Sequence, residues 1–398
     1  MFQQLERLSA DAILGLMAKY RADPNAQKVD LGVGVYRDLS GNTPILDCVR
    51  RSEKEVLAAQ TTKSYVAAAG REEFNSAVQE LVLGAAHAAC RDRRVSTVQT
   101  PGGCGALRLG AELIRAAAPA AAVRLSDPTW GNHSPLLGSA GLRLERYPYY
   151  DPRAHELRFE AMMQSLEKAP AGDVVLIHAC CHNPTGADLQ PDQWQAVAEL
   201  LQRRGLIPFL DLAYQGFAAS LDGDAAAVRM VAQRVPEALI AVSFSKNLGL
   251  YRERVGALVV VSENAARSDA VLSHTLQIAR GMYSMPPDHG AAVAARIFAD
   301  PALRADWVRE LDAMRTRIQE MRALLAQRLS AAAGDGSFDF IRAQRGMFSL
   351  LGVSAQAVDR LRERHHIYMT ADSRMNLAGI TPHNVDYVAA AFAAERAS

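Results

Sequence analysis

The chain has 398 residues, 49% hydrophobic and 22% charged, the balance of a globular enzyme rather than a disordered chain. At roughly 150 residues per domain, this length implies two domains, or a large one with a smaller one built onto it. Lys+Arg at 44 against Asp+Glu at 43 leaves a formal charge of +1 and no basic stripe, which argues against a nucleic-acid partner.

The segment Met1-Phe2-Gln3-Gln4-Leu5-Glu6 has neither a basic region nor an apolar run, so no signal peptide is expected. No window reaches the roughly 18 apolar residues of a membrane span, so no membrane partner is expected. The alanine-rich stretch around Ala116 to Val123 is short and broken by Pro119. Cys48, Cys90, Cys104, Cys180 and Cys181 are odd in number and contain no Cys-x-x-Cys. Neither a disulfide framework nor a metal site fits, and the chain reads as reduced and cytoplasmic.

Helical and strand patterns alternate through the middle of the chain, which predicts an α/β fold with a largely parallel sheet. Thr100-Pro-Gly-Gly-Cys-Gly-Ala-Leu107 opens a helical stretch to Ala117. Glycines at such a junction let backbone N–H groups approach an anion, although a plain helix start reads the same. Strands are predicted at Asp173–Ala179, Leu206–Leu210, Ala238–Val242 and Ala257–Val261, with a helix at Trp194–Arg204. From Pro301 the pattern changes to a long amphipathic helix, Trp307 to Leu329, then strand character from Phe338 to Leu351. That change marks a second domain, with which the N-terminal segment is expected to pack.

Three signals lie at strand ends, where open α/β sheets bind ligands. Lys246, in Ser243-Phe-Ser-Lys246, follows an apolar strand, and partial burial would make its amine a usable nucleophile. Ser243 and Arg254 could face one phosphate. Asp211, in Phe-Leu-Asp-Leu-Ala-Tyr214, needs a cationic partner if buried, and a protonated pyridine nitrogen is one. Asn183 and Tyr214 could then donate to a ring oxygen. Each signal also has a plain reading: a surface lysine with an ion-paired arginine, a helix-capping aspartate, a packed tyrosine.

Together, a phosphate loop, a strand-end aspartate, a buried lysine and a nearby arginine are what pyridoxal 5′-phosphate requires. The chain resembles the class I (fold type I) aminotransferases, among them the bacterial aspartate and aromatic amino acid aminotransferases. The resemblance rests on Asp11-Ala-Ile-Leu-Gly-Leu16, Leu31-Gly-Val-Gly-Val-Tyr36, Thr61-Thr-Lys-Ser-Tyr65, Asn183-Pro-Thr-Gly186, Asp211-x-Ala-Tyr-Gln-Gly-Phe217, Ser243-x-Ser-Lys-Asn247 and Arg374-x-Asn376. It runs from about Asp11 to Gly379.

The resemblance implies a large cofactor-binding domain over 44–312, with a mainly parallel sheet sandwiched by helices. A smaller α/β domain would comprise 1–43 and 313–398. It also implies a homodimer with shared active sites. Lys246 would hold the cofactor as a Schiff base and, once freed, move the substrate proton. Asp211 would keep the pyridine nitrogen protonated, Tyr214 and Asn183 would bond the ring oxygen, and Trp130 would stack on the ring. Gly102, Gly103, Cys104, Ser243 and Arg254 would bind the phosphate, helped by Tyr65 of the partner subunit. Arg374 would clamp the substrate α-carboxylate, assisted by Trp130, Asn183 and Gly34. Arg280 would reach across the dimer to a distal carboxylate.

Some positions depart from the family pattern. Cys104 replaces the usual Thr or Ser, which implies weaker cofactor binding. Asp372-Ser373 replaces Ser-Gly before Arg374, and Met282 and Met285 replace small or polar residues near Arg280. Val35, Arg37, Thr43, Ser64 and Met285 fit neither the aspartate-preferring nor the aromatic-preferring set. Thr61-Thr-Lys-Ser-Tyr65 and Ala343-Gln-Arg-Gly-Met-Phe348 resemble the aromatic enzymes, so the expected substrates are aromatic amino acids or aspartate with 2-oxoglutarate. A strict aspartate aminotransferase is the alternative. A lyase or decarboxylase on this fold, a regulator's effector domain and a degenerate binding protein rank below it.

Overall fold

Mostly apolar, buried runs build the central sheet, with the more polar Arg143–Pro148 at one edge. In a computed structural model, which describes residues 1–7 and 12–396, these runs form seven strands. Asp11 of the first motif lies outside the described residues. The strands are β1 (Val95–Pro101), β2 (Ala122–Asp127), β3 (Arg143–Pro148), β4 (Val174–His178), β5 (Ile207–Leu212), β6 (Ala238–Ser243) and β7 (Val255–Val261). Their order across the sheet is β1-β7-β6-β5-β4-β2-β3. Only β7 runs antiparallel to its neighbours, so β1 to β6 share one direction.

Alternate residues serve opposite faces, as strand geometry requires. Val174, Leu176, Phe209, Leu239 and Leu258 pack into one core cluster with the helix α1 (Gly102–Ala117). Val175, Ile177, Leu210, Ile240 and Val259 pack into a larger cluster on the other face. Burial on both sides is why these strands read as continuous hydrophobic runs rather than alternating ones.

Helix α2 (Pro191–Arg204) shows how local sequence sets an element's limits. Gln190 and Gln193 form a reciprocal capping box, Pro191 sits in the first turn, and Gly205 ends the helix at φ 63°. Helix α3 spans Ala265–Tyr283. Helix α4 (Pro301–Ala333) is longer than its apolar spacing predicts, because Asp300 accepts from the N–H groups of Ala302 and Leu303 and starts it early. The strand expected over Phe338–Leu351 reduces to Phe348–Leu350, preceded by a helical turn at Phe340–Ala343. The buried Arg322 of α4 takes the carbonyls of Ile341 and Gly346 ahead of that strand, so they are satisfied without a strand partner, and also that of Phe348 within it.

The N-terminal segment does pack with the C-terminal part. Val29–Asp30 pairs in parallel with Ile367–Tyr368, and Phe348–Leu350 pairs antiparallel with Arg374–Asn376. Trp307 of α4 is fully buried and donates its indole N–H to the Asn247 carbonyl at 2.7 Å, tying α4 to the loop after β6. Trp307→Phe strands that carbonyl and is expected to lower the unfolding free energy by about 1–3 kcal/mol. A denaturant midpoint equal to the parent's would show that this bond does not hold the loop.

Candidate active site

Parallel strands end together, and that brings distant segments to one edge. Gly102 follows β1, Trp130 follows β2, Asn183 follows β4, Tyr214 follows β5 and Lys246 follows β6. Because β7 is reversed, Arg254 immediately before it arrives at the same edge, with Val255 opposite Pro101 and Gly256 opposite Ser243. A cavity of about 190 Å³ lies there, lined among others by Gly34, Gly103, Cys104, Trp130, Asn183, Asp211, Tyr214, Ser243, Lys246 and Arg254.

One end of the cavity suits an anion. Helix α1 begins at Gly102 with no side-chain cap, so its first N–H groups face the loop. Gly102 has φ 72°, and a Cβ there would lie 2.5 Å from Arg254 Nη2; one at Gly103 would lie 2.9 Å from Ser243 Cβ. No larger residue fits this approach. The Arg254 guanidinium is steadied by the Tyr251 carbonyl at 3.0 Å and by Ser245 Oγ and the Pro101 carbonyl at 3.4 Å. Backbone donors, the Ser243 hydroxyl and a guanidinium thus converge, a donor set that matches a phosphate.

The other end suits a cation. Asp211 lies within β5 and is only 5% exposed, so it is not a helix cap. Burial would raise its pKa, but the hydrogen bond to His133, together with the neighbouring His133, His178 and Lys246 side chains, outweighs that and holds the carboxyl below its ordinary value. His133 Nε2 is 3.1 Å from Asp211 Oδ2, and His133 Nδ1 is 2.8 Å from Thr129 Oγ1.

Lys246 lies between the two ends. Burial lowers the pKa of its amine, Asp211 acts against that, and the cations Arg254 and Arg374 reinforce it. Its Nζ sits 4.6 Å from the centre of the Tyr214 ring. Burial raises the Tyr214 phenol, which therefore stays protonated. A plain surface lysine is thereby excluded, whereas Tyr214 is both packed and beside the amine.

Arg374 approaches from the smaller sheet. Its Nη1 donates to Asn183 Oδ1 at 3.2 Å, its Nη2 to the Gly32 carbonyl at 3.0 Å, and its guanidinium lies 4.4 Å from the Phe348 ring centre. Asn376 Nδ2 holds the carbonyls of Val33 and Val35, which fixes the loop carrying Gly34. Two expected site residues are not brought in within the chain. Tyr65 is 91% exposed, and Arg280, near the end of α3, is exposed with Nη1 on Ser284 Oγ.

Sequence reasoning missed His133, His178, Tyr251 and Phe348. His133 sits three residues after Trp130 and packs edge-on to it at 5.3 Å, a local signal that single-residue reading passes over. Phe348 is brought to Arg374 only by the strand pairing of distant segments.

Among the described residues, His178 has no hydrogen-bond partner at either ring nitrogen, and burial, reinforced by His133, pushes its pKa down to about 3. His182 is pushed well below the ordinary value by burial and by His178. Both rings are neutral in the folded chain but protonate near pH 6.5, their unperturbed value, when it unfolds. The unfolded state therefore binds more protons below about pH 6.5, and stability falls with pH. His178→Gln is expected to make the fall in Tm between about pH 6.5 and 4.5 shallower than the parent's. Identical slopes would remove His178 from the acid response.

The comparisons with known proteins agree with this geometry. The family model "Aminotransferase class I and II" matches residues 26–392. The aromatic-amino-acid aminotransferase of Pseudomonas aeruginosa is 46% identical, with 98% of each chain covered. The aspartate aminotransferase of Salmonella typhi is 45% identical, with 97% of each covered. The crystal structure of the aromatic-amino-acid aminotransferase from Burkholderia pseudomallei, covalently bound to pyridoxal phosphate, superposes with a TM-score of 0.97 at 44% identity, covering 99% of each chain. With strand-end residues, anion corner and buried lysine assembled as this family requires, the chain belongs to the class I and II aminotransferases.

Proposed function

We propose that this aminotransferase uses pyridoxal 5′-phosphate to move the amino group between aromatic amino acids or aspartate and 2-oxoglutarate. The observation that carries the reading is a cavity with an anion-binding corner at one end, a buried carboxylate at the other, and a buried lysine between them. When bound, the cofactor supplies an electron-accepting ring that shares the substrate's nitrogen.

The chain's own residues supply the rest. The first-turn N–H groups of α1, from Gly102, Gly103 and Cys104, hold the phosphate with Ser243 and Arg254. Asp211 stays ionised and would pair with the ring nitrogen. Tyr214, kept protonated by burial, and Asn183 would donate to the ring oxygen. Trp130, lining the same cavity, would stack on the ring. Lys246 Nζ, with its proton affinity lowered by burial, carries the proton to and from the substrate α-carbon. Arg374 grips the α-carboxylate beside Asn183 and Gly34.

The side-chain end of the substrate is the less constrained part. Arg37 is ion-paired with Asp30 and Thr43 donates to the Tyr36 carbonyl, so both are engaged within the chain. Arg280 is exposed and free to meet a distal carboxylate across a dimer, while Met282 and Met285 offer adaptable apolar contact. Such contacts discriminate by about 1–3 kcal/mol, which suits mixed specificity. We assign the large domain to 44–312 and the smaller one to 1–43 and 313–398. The working form is a homodimer in which Tyr65 and Arg280 serve the partner's site, and five cysteines without a disulfide suit the cytoplasm.

Mixing the holoenzyme with aspartate, glutamate, phenylalanine, tyrosine or tryptophan, and following cofactor absorbance, tests the substrate assignment. Aromatic donors are expected to convert the cofactor as readily as glutamate; reaction with dicarboxylates alone would make this a strict aspartate aminotransferase. Lys246→Ala should abolish both. Shared sites are tested by mixing two inactive or impaired variants, Lys246→Ala and Arg280→Ala, under subunit exchange. Hybrid dimers contain one site with both residues intact, so aspartate activity should rise on mixing, and a flat response would refute sharing.

A further inference from the structure

The guanidinium of Arg374 is held by Gly32 and Asn183, but its main chain is held by its own segment. Its N–H donates to Asp372 Oδ1 at 3.2 Å. The Thr370 hydroxyl donates to that same oxygen at 2.6 Å and also lies 3.2 Å from the Arg374 carbonyl. Between them, Ser373 is buried and adopts φ 65°, a left-handed conformation uncommon for a residue with a side chain. It is pinned there on three sides. Its N–H donates to the Thr370 carbonyl at 2.9 Å, its carbonyl accepts from Leu351 at 3.1 Å, and its Oγ accepts from the Gly352 N–H at 2.9 Å.

This geometry has a directional consequence. A left-handed residue immediately before Arg374 sets the angle at which the Arg374 Cα–Cβ bond leaves the strand. An arginine that grips a carboxylate through paired donors depends on that angle, because a fork displaced by about 1 Å loses much of its effect. The Asp372 carboxylate closes the turn from outside, and it is exposed, so it acts without being packed into the core. We propose that Asp372, with Thr370 and Ser373, is the positioning element of Arg374 and thereby sets affinity for the substrate α-carboxylate. This rests on the reading of Arg374 as the α-carboxylate clamp. Asp372 touches neither substrate nor cofactor.

The test compares the parent holoenzyme with Asp372→Ala, Asp372→Asn and Arg374→Lys, using L-aspartate and L-phenylalanine as donors to 2-oxoglutarate. Asp372→Ala should raise KM for both donors by the same factor, about tenfold, the equivalent of one lost hydrogen bond, while kcat stays near the parent value. Equal factors are expected because both donors carry an α-carboxylate. Asp372→Asn keeps an oxygen acceptor at the same place without the charge and should restore KM. An unchanged KM in Asp372→Ala, with Arg374→Lys impaired, overturns the positioning role alone. An Asp372→Asn variant as impaired as Asp372→Ala also overturns it, since charge rather than the hydrogen bond would then matter. An unimpaired Arg374→Lys overturns the clamp reading beneath it.

Discussion

A carboxylate buried in the middle of a sheet has to be compensated, and the arrangement around Asp211 follows from that need. It is only 5% exposed, on the central strand β5, where burial alone would drive it neutral. His133 bonds it from behind, steadied in turn by Thr129, while Lys246 contributes positive potential from the cavity side. Asp211 therefore remains an anion facing an enclosed space. Such an anion is useful only to a ligand that brings a cation of its own.

The opposite pole depends on the single reversed strand. β7 threads between β1 and β6 and delivers Arg254 to the edge where all the other strands end. The packing there is close enough that a Cβ at Gly256 would sit 2.5 Å from the Gly102 carbonyl carbon and 2.6 Å from the Val242 carbonyl oxygen. Glycine at 102, 103 and 256 lets three backbone segments meet around one anion-sized corner. With donors at one end and a carboxylate at the other, the cavity has a polarity that orients its ligand before any chemistry begins.

The wall that carries Arg374 draws on a different part of the molecule. Arg317 and Arg322, buried along α4, hold the carbonyls of Asp38, Ala378 and Ile380 and those of Ile341, Gly346 and Phe348. Burial lowers the pKa of Arg322 to about 10, still far above neutrality, so it remains a cation whose charge is spread over carbonyl oxygens. These bonds carry Phe348 and the Arg374 strand to the edge of the large sheet. Asn376 and Arg374 then fix the 32–35 loop from the far end of the chain. The wall around the Arg374 guanidinium is thus assembled from segments more than 340 residues apart.

By itself the sequence determined four of the seven sheet strands, the helices after Gly102 and before Arg204, and which polar residues stand at strand ends. Continuous apolar runs specify doubly buried strands, and a glycine run before a helical pattern specifies an open helix start, because both are local properties of the chain. Lys246, Asp211, Asn183, Tyr214 and Arg254 could be named from such positions together with family-like spacing. Only the tertiary structure decided the reversal of β7, the histidine support behind Asp211, the buried arginines of α4 and the nearness of Phe348 to Arg374. Each of these depends on contacts between distant segments, and apolar spacing carries no record of which distant partner a side chain will meet. The strand expected over 338–351 shrank to Phe348–Leu350 for the same reason: the preceding segment turns helical at Phe340–Ala343, and Arg322 from another element takes the carbonyls of Ile341 and Gly346.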